Sequence, residues 1–95
     1  MHTISMSSPS SSFQAPKENT LAAIGNTPLV KLNKLTRGLD ANVYVKLEFF
    51  NPTGSYKDRM ALAMIEGAER RGILKKGDIV IEYTGGSTGS SLAFV

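Results

Sequence analysis

The chain of 95 residues contains no cysteine and no tryptophan, and a single histidine, His2. Without cysteine there is no disulfide framework and no thiolate metal site. One histidine in a Ser-rich leader all but removes histidine-based triads and zinc centres, so no metal is expected. Long apolar runs are also missing, which excludes a helical membrane span. Charge is modest: 11 Lys and Arg against 8 Asp and Glu leave a formal +3, spread along the chain. No basic block interleaved with aromatics stands out, so no nucleic-acid partner is expected. Residues 1–16 are rich in Ser and Pro and carry no acidic residue. They hold too little apolar surface to fold alone and are expected to form a disordered tail. A transit peptide would be Arg-rich, and this segment has no arginine. The expected compartment is the cytoplasm, with organellar targeting by the Ser-rich leader the alternative.

From residue 17 onward the pattern changes to alternating strand and helix signals. Asn19 to Ile24 suits one helical turn. Gly25-Asn26-Thr27-Pro28 is a turn in which Gly and Asn tolerate positive φ and Pro28 sets the exit. Leu29 to Leu32 predicts a short strand. Val43 to Glu48 predicts a second, with Val43, Val45 and Leu47 on one face. Ser55 predicts a helix N-cap, with Asp58 three residues on as the acidic member of a capping box. Met60, Ala61, Met64, Ile65 and Ala68 recur at helical spacing, and Gly72 closes the helix after Arg70 and Arg71. Ile79 to Glu82 is near-continuously apolar, as in a strand covered on both faces. A glycine turn and the start of another helix follow, and that helix has no stop signal before Val95. The order predicts an α/β fold: an open parallel sheet built from βαβ units, of which this chain is the front part.

Two loops carry the candidate chemistry. In Asn51-Pro52-Thr53-Gly54-Ser55-Tyr56-Lys57-Asp58-Arg59 the predicted strand gives way to a turn and then a helix. An amine held at that junction is suited to form an imine with a carbonyl compound. Free lysine is almost wholly protonated near neutral pH, and burial or imine formation removes that barrier. Lysines at helix starts are otherwise simply solvated. Asp58 and Arg59 have the default reading of a solvated or locally paired helix start that anchors the loop. The second loop, Thr84-Gly85-Gly86-Ser87-Thr88-Gly89, combines free backbone, three hydroxyls and a helix start, which together make an anion cradle. A carboxylate fits such a cradle as well as a phosphate. Walker A and dinucleotide fingerprints both fail on spacing, and so does the Ser-x-x-Lys signature, because Gly54 stands three before Lys57. A ligand-free strand–helix turn is the plain alternative.

Three blocks in this order resemble the pyridoxal-phosphate β-family of fold type II, the tryptophan synthase β-subunit-like architecture. They are Ile24 to Leu32; Val45 to Glu48 with Asn51 to Arg59; and Glu82 to Gly89. The likeness is greatest to cysteine synthase and cystathionine β-synthase and covers about Asn19 to Val95. It implies that residues 17–95 form the N-terminal part of the catalytic fold. It implies further that Lys57 binds pyridoxal 5'-phosphate as an imine and later moves the substrate's α-proton. Thr84, Gly85, Gly86, Thr88 and Gly89 fall on the substrate-carboxylate loop. Ser87 falls where the family usually has an Asn that contacts the cofactor's ring hydroxyl, and Gly85 replaces the usual serine. Tyr56 stands where a smaller apolar residue or Phe is common. The loop that grips the cofactor phosphate, and the hydroxyl residue facing the pyridine nitrogen, are expected downstream. The implied reaction is β-replacement on a serine-derived amino acid in cysteine biosynthesis, by a homodimeric parent. A serine/threonine dehydratase- or threonine synthase-like lyase is the alternative enzyme. A non-catalytic truncated product is the third reading, and the isolated chain is expected to be inactive.

Overall fold

The computed structural model describes residues 14–95. The first thirteen residues, with His2 and most of the expected tail, lie outside the described residues. The first element is a 3-10 turn at Leu21–Ala23, and the Asn19 side chain accepts the Ala22 N–H at 2.9 Å. Strand β1 is Leu29–Lys31 and strand β2 is Tyr44–Lys46. A second 3-10 turn covers Glu48–Phe50, helix α1 covers Lys57–Arg70 and helix α2 covers Ser87–Phe94.

The two strands pair antiparallel, with Leu29 opposite Lys46, Val30 opposite Val45 and Lys31 opposite Tyr44. Two further bonds, Leu32 N–H to Val43 C=O and Leu47 N–H to Pro28 C=O, both 2.9 Å, extend the ladder at each end. This corrects the expectation of a parallel sheet for the part described. No crossover helix lies between β1 and β2, so the chain reverses between them and they meet head to tail. The expected third strand, Ile79 to Glu82, takes no ladder bonds. Ile79 and Ile81 are 85% and 87% exposed. A parallel strand needs partners beside it and cover on both faces, and nothing among the described residues supplies either. The alternation in β2 holds: Val43, Val45 and Leu47 are half-buried while Tyr44 and Lys46 face outward.

Helix α1 is rich in Ala, Met, Leu, Glu and Arg, which lose little on becoming helical. Its inward stripe is Asp58 and Ala61, both buried, followed by the half-buried Ile65 and Ala68, spaced three, four and three residues apart, with buried Gly67 beside it. Met64, expected on that stripe, is 51% exposed. The predicted capping box does not form as drawn. Ser55 Oγ accepts the Lys57 N–H at 3.1 Å, but Asp58 turns back to Thr53 instead of to the Ser55 N–H. At the other end Ile73 N–H reaches Ala68 C=O and Gly72 N–H reaches Glu69 C=O, both at 2.9 Å, with Gly72 at φ +68°. These are the paired bonds of a Schellman motif, where the sequence places the helix end.

The core is thin. Ala61 is the one fully buried apolar side chain among the described residues, and the largest fully buried side chains are polar, Asp58 and Ser91.

Candidate active site

The turn Asn51 to Gly54, closed by Gly54 N–H to Asn51 C=O at 2.8 Å, delivers the chain into α1. Lys57 is the first residue of that helix, half-buried, with Nζ 4.9 Å from the centre of the Tyr56 ring. Tyr56 itself is 59% exposed. The amine therefore leaves from a helical backbone position and lies along an aromatic face.

The two residues after Lys57 are both engaged by partners. Asp58 is fully buried. It accepts the Thr53 N–H at 2.8 Å, the Thr53 hydroxyl, and the Ser91 hydroxyl from α2 at 2.7 Å. Burial works to raise the Asp58 carboxyl pKa; the bonds from Thr53 and Ser91 outweigh it and hold the group below the ordinary carboxylate value. Arg59 donates Nε–H to Glu48 Oε2 at 2.8 Å and a second N–H to Thr27 Oγ1 at 3.1 Å. The Thr27 hydroxyl donates to Glu48, and Asn51 donates to both the Glu48 carbonyl and its carboxylate. Asn51 Oδ1 accepts the Gly25 N–H at 2.8 Å. Led by the bond from Arg59 and helped by that from Thr27, the Glu48 carboxyl is pulled from 4.5 down to about 2. One ion pair thus binds the Gly25–Pro28 turn, the end of β2 and the lysine loop together. Gly25 is required there: at φ +86°, a Cβ on it would lie 3.0 Å from the Arg59 guanidinium.

The glycine loop is built around Thr84. Its hydroxyl accepts the N–H of Gly86 at 3.1 Å and of Gly89 at 3.0 Å. Those two donors of the expected cradle are therefore engaged within the turn. The N–H groups of Ser87 and Thr88 take no acceptor among the described residues and stand at the positive end of α2. Helix α2 begins at Ser87, so the hydroxyls of Ser87 and Thr88 sit on its first turn. Gly85 and Ser87 are exposed and Thr88 is half-buried. Behind the turn, an open hollow of about 260 Å³ is lined by Ile65, Val80, Glu82, Thr84, Gly89 and Leu92, together with Ala93. No group of three His, Asp or Glu among the described residues is placed to hold a metal ion. No helix among them is long and apolar enough to cross a membrane.

Sequence reasoning singled out Lys57 and the Thr84–Gly89 loop, gave Asp58 and Arg59 only a local role at the helix start, and left the side chains of Glu48, Asn51 and Thr27 without one. A signal for Asp58 existed, since it extends the Ala61, Ile65, Ala68 stripe by one helical step. The Arg59 contact to Thr27 spans 32 residues, and no local spacing announces it.

Comparison with known proteins agrees with this arrangement. Residues 20–95 match the family described as pyridoxal-phosphate dependent enzyme. A cysteine synthase of Staphylococcus aureus is 56% identical over 82 residues, 86% of this chain and 26% of that protein. A probable cysteine synthase of Bacillus subtilis is 57% identical over 75 residues, 79% of this chain and 24% of that protein. The crystal structure of O-acetyl serine sulfhydrylase isoform 3 from Entamoeba histolytica superimposes with a TM-score of 0.79 at 40% identity, over 85% of this chain and 25% of that one. The chain spans about a quarter of the length of the relatives it matches. The α/β class and fold type II architecture expected from the three sequence blocks hold. With most of its described length matched as one unit, this chain belongs to the pyridoxal-phosphate dependent enzyme family.

Proposed function

We propose that residues 17–95 are the N-terminal part of a pyridoxal-phosphate enzyme that carries out β-replacement on a serine-derived amino acid, in the manner of a cysteine synthase. The observation that supports this reading is the packing of α1 against α2, in which Asp58, the residue after Lys57, accepts the hydroxyl of Ser91 in the helix that follows the glycine turn. The donor set fits the cofactor's aldehyde end and an amino acid: a half-buried amine on one helix start, and free N–H groups with hydroxyls on the other. When bound, pyridoxal phosphate supplies an aldehyde that takes an amine covalently and a ring that stores the charge left by a departing α-proton.

Lys57 is the amine that would hold the cofactor, and its Nζ, when free, would accept the α-proton. Thr84, Gly85, Gly86, Thr88 and Gly89 hold the substrate carboxylate, with the N–H groups of Ser87 and Thr88 as the open donors. Fixing the carboxylate fixes the direction of the α-proton relative to Lys57, so positioning carries much of the rate. Ser87 would face the cofactor with a side chain shorter than the Asn usual in the family. The parent is proposed to be a cytoplasmic homodimer acting on small amino acids. The similarity to cysteine synthases in two bacteria supports the reading.

The test is spectroscopic and chemical. A longer protein carrying this sequence, loaded with pyridoxal phosphate, is expected to absorb in the visible, and Lys57→Ala is expected to remove the band. Borohydride reduction should leave the label on Lys57. An unchanged band in the variant, or label scattered over exposed lysines such as Lys75 and Lys76, overturns the assignment.

A further inference from the structure

The buried carboxylate of Asp58 has no part in the chemistry just described, yet with Ala61 and Ser91 it is fully buried. Three donors converge on it: the N–H and hydroxyl of Thr53, in the turn that leads to Lys57, and the hydroxyl of Ser91, in the helix that follows the carboxylate-binding turn. The Thr53 contacts span 5 residues and the Ser91 contact spans 33, so a single side chain ties a local loop to a remote one. Asp58 directly follows Lys57 in the first turn of α1, and Ser91 lies one turn into α2, near the Thr84–Gly89 loop.

We propose that Asp58 is a positioning residue that sets the separation between the Lys57 amine and the N–H groups of Ser87 and Thr88. The proposal rests on the functional reading above and adds to it the device that holds the two halves of the site in register. Three features make the bond a positioning element as well as packing. The carboxylate is fully buried, so water does not compete for its lone pairs. Hydrogen bonds to an ionised acceptor are about twice as strong as neutral ones. The apolar contact between the helices is small, because Ala61 is the one fully buried apolar side chain among the described residues. With so little apolar area to fix the helix pair, the directional bond decides how the two starts face each other. The Arg59–Glu48 pair cannot do this, because it ties α1 to the Gly25–Pro28 turn and the 3-10 turn after β2 and not to α2.

The experiment uses the 95-residue chain and exploits its lack of cysteine. Nitroxide labels on Tyr56→Cys and Tyr83→Cys, at sites 59% and 101% exposed, report the distance distribution between the two loops. The parent pair is expected to give one narrow distribution. Ser91→Ala, which removes one hydroxyl, is expected to raise the population of displaced arrangements about tenfold at unchanged helical circular dichroism. Asp58→Asn is expected to do the same. Ser91→Thr, which keeps the hydroxyl, is expected to restore the narrow distribution, and Thr53→Ala, which leaves the link to Ser91 intact, to retain it. Distributions that stay narrow in Ser91→Ala and Asp58→Asn overturn the proposal. So does equal broadening in Thr53→Ala, which would signal general loosening, and so does loss of the helical signal in Ser91→Ala, which would assign the bond to folding alone. Borohydride trapping of pyridoxal phosphate on a longer, unlabelled protein carrying this sequence reads the functional proposal separately: absence of label at Lys57 there, beside a narrow, Ser91-dependent distribution, overturns that reading and not the clamp.

Discussion

Thr84 and Gly89 are fitted to each other. The threonine hydroxyl accepts the glycine N–H at 3.0 Å, and a Cβ added at Gly89 would lie 2.5 Å from the threonine methyl. The same side chain that caps the first turn of α2 forbids any larger residue at its third position. Gly89→Ala is therefore expected to cost about 1–3 kcal/mol, as overpacking does, read as loss of α2 helicity in chemical denaturation. Thr84→Ser keeps the hydroxyl and removes the methyl, so in that background the cost of Gly89→Ala should fall. An unchanged cost would place the strain elsewhere.

Glu48 governs the acid side of the stability curve. Its carboxyl sits at about 2 against an ordinary 4.5. A depressed folded value contributes stability that is fully present above the unfolded pKa and is lost as pH falls through the folded one. Thermal melts should therefore show the unsubstituted chain losing its advantage over Glu48→Gln between about pH 5 and about pH 2. A difference between the two proteins that is constant across that window would refute the Arg59–Glu48 linkage.

Gly25 stands under the Arg59 guanidinium at φ +86°. Gly25→Ala adds both a left-handed backbone penalty of about 1–2 kcal/mol and a contact that pushes Arg59 off Glu48. The expected outcome is a lower urea midpoint together with an upward move of the Glu48 carboxyl titration by NMR. Destabilisation without that titration change would confine the effect to the backbone.

Ile79, Ile81 and Tyr83 form an extended apolar edge, 85%, 87% and 101% exposed. Unpaired strand edges recruit other chains. The isolated chain is expected to self-associate in size-exclusion chromatography, and Ile81→Lys to shift it toward monomer. A soluble monomer at high concentration before substitution would contradict this.

Local chemistry made much of this legible in advance. The glycine turn and Schellman ending of α1, the alternation of β2, the Pro/Gly turn before Lys57 and the start of α2 follow from residue types within a few positions of each other. Met64 was misassigned because helical spacing alone does not say which edge of the stripe meets a neighbour. The sequence leaves Asp58 as either a solvated or a locally paired helix start; the bonds to Thr53 are that local pairing, while full burial becomes tolerable only with the third donor, from Ser91. The segment from Ile79 to Glu82 reads as a buried strand in composition, and it remains unpaired because the neighbours such a strand needs are not among the described residues.

The order of residues alone determined the family and the two loops, with the amine in the first of them, because each depends on covalent neighbours and short-range backbone preference. Only the tertiary structure decided that Arg59 joins Glu48 and Thr27, that Asp58 joins Thr53 and Ser91, and that β1 meets β2 antiparallel. Those contacts link residues 11 to 33 positions apart, apart from the local bond to Thr53, and their strength comes from burial and convergence, which exist only once the chain has folded.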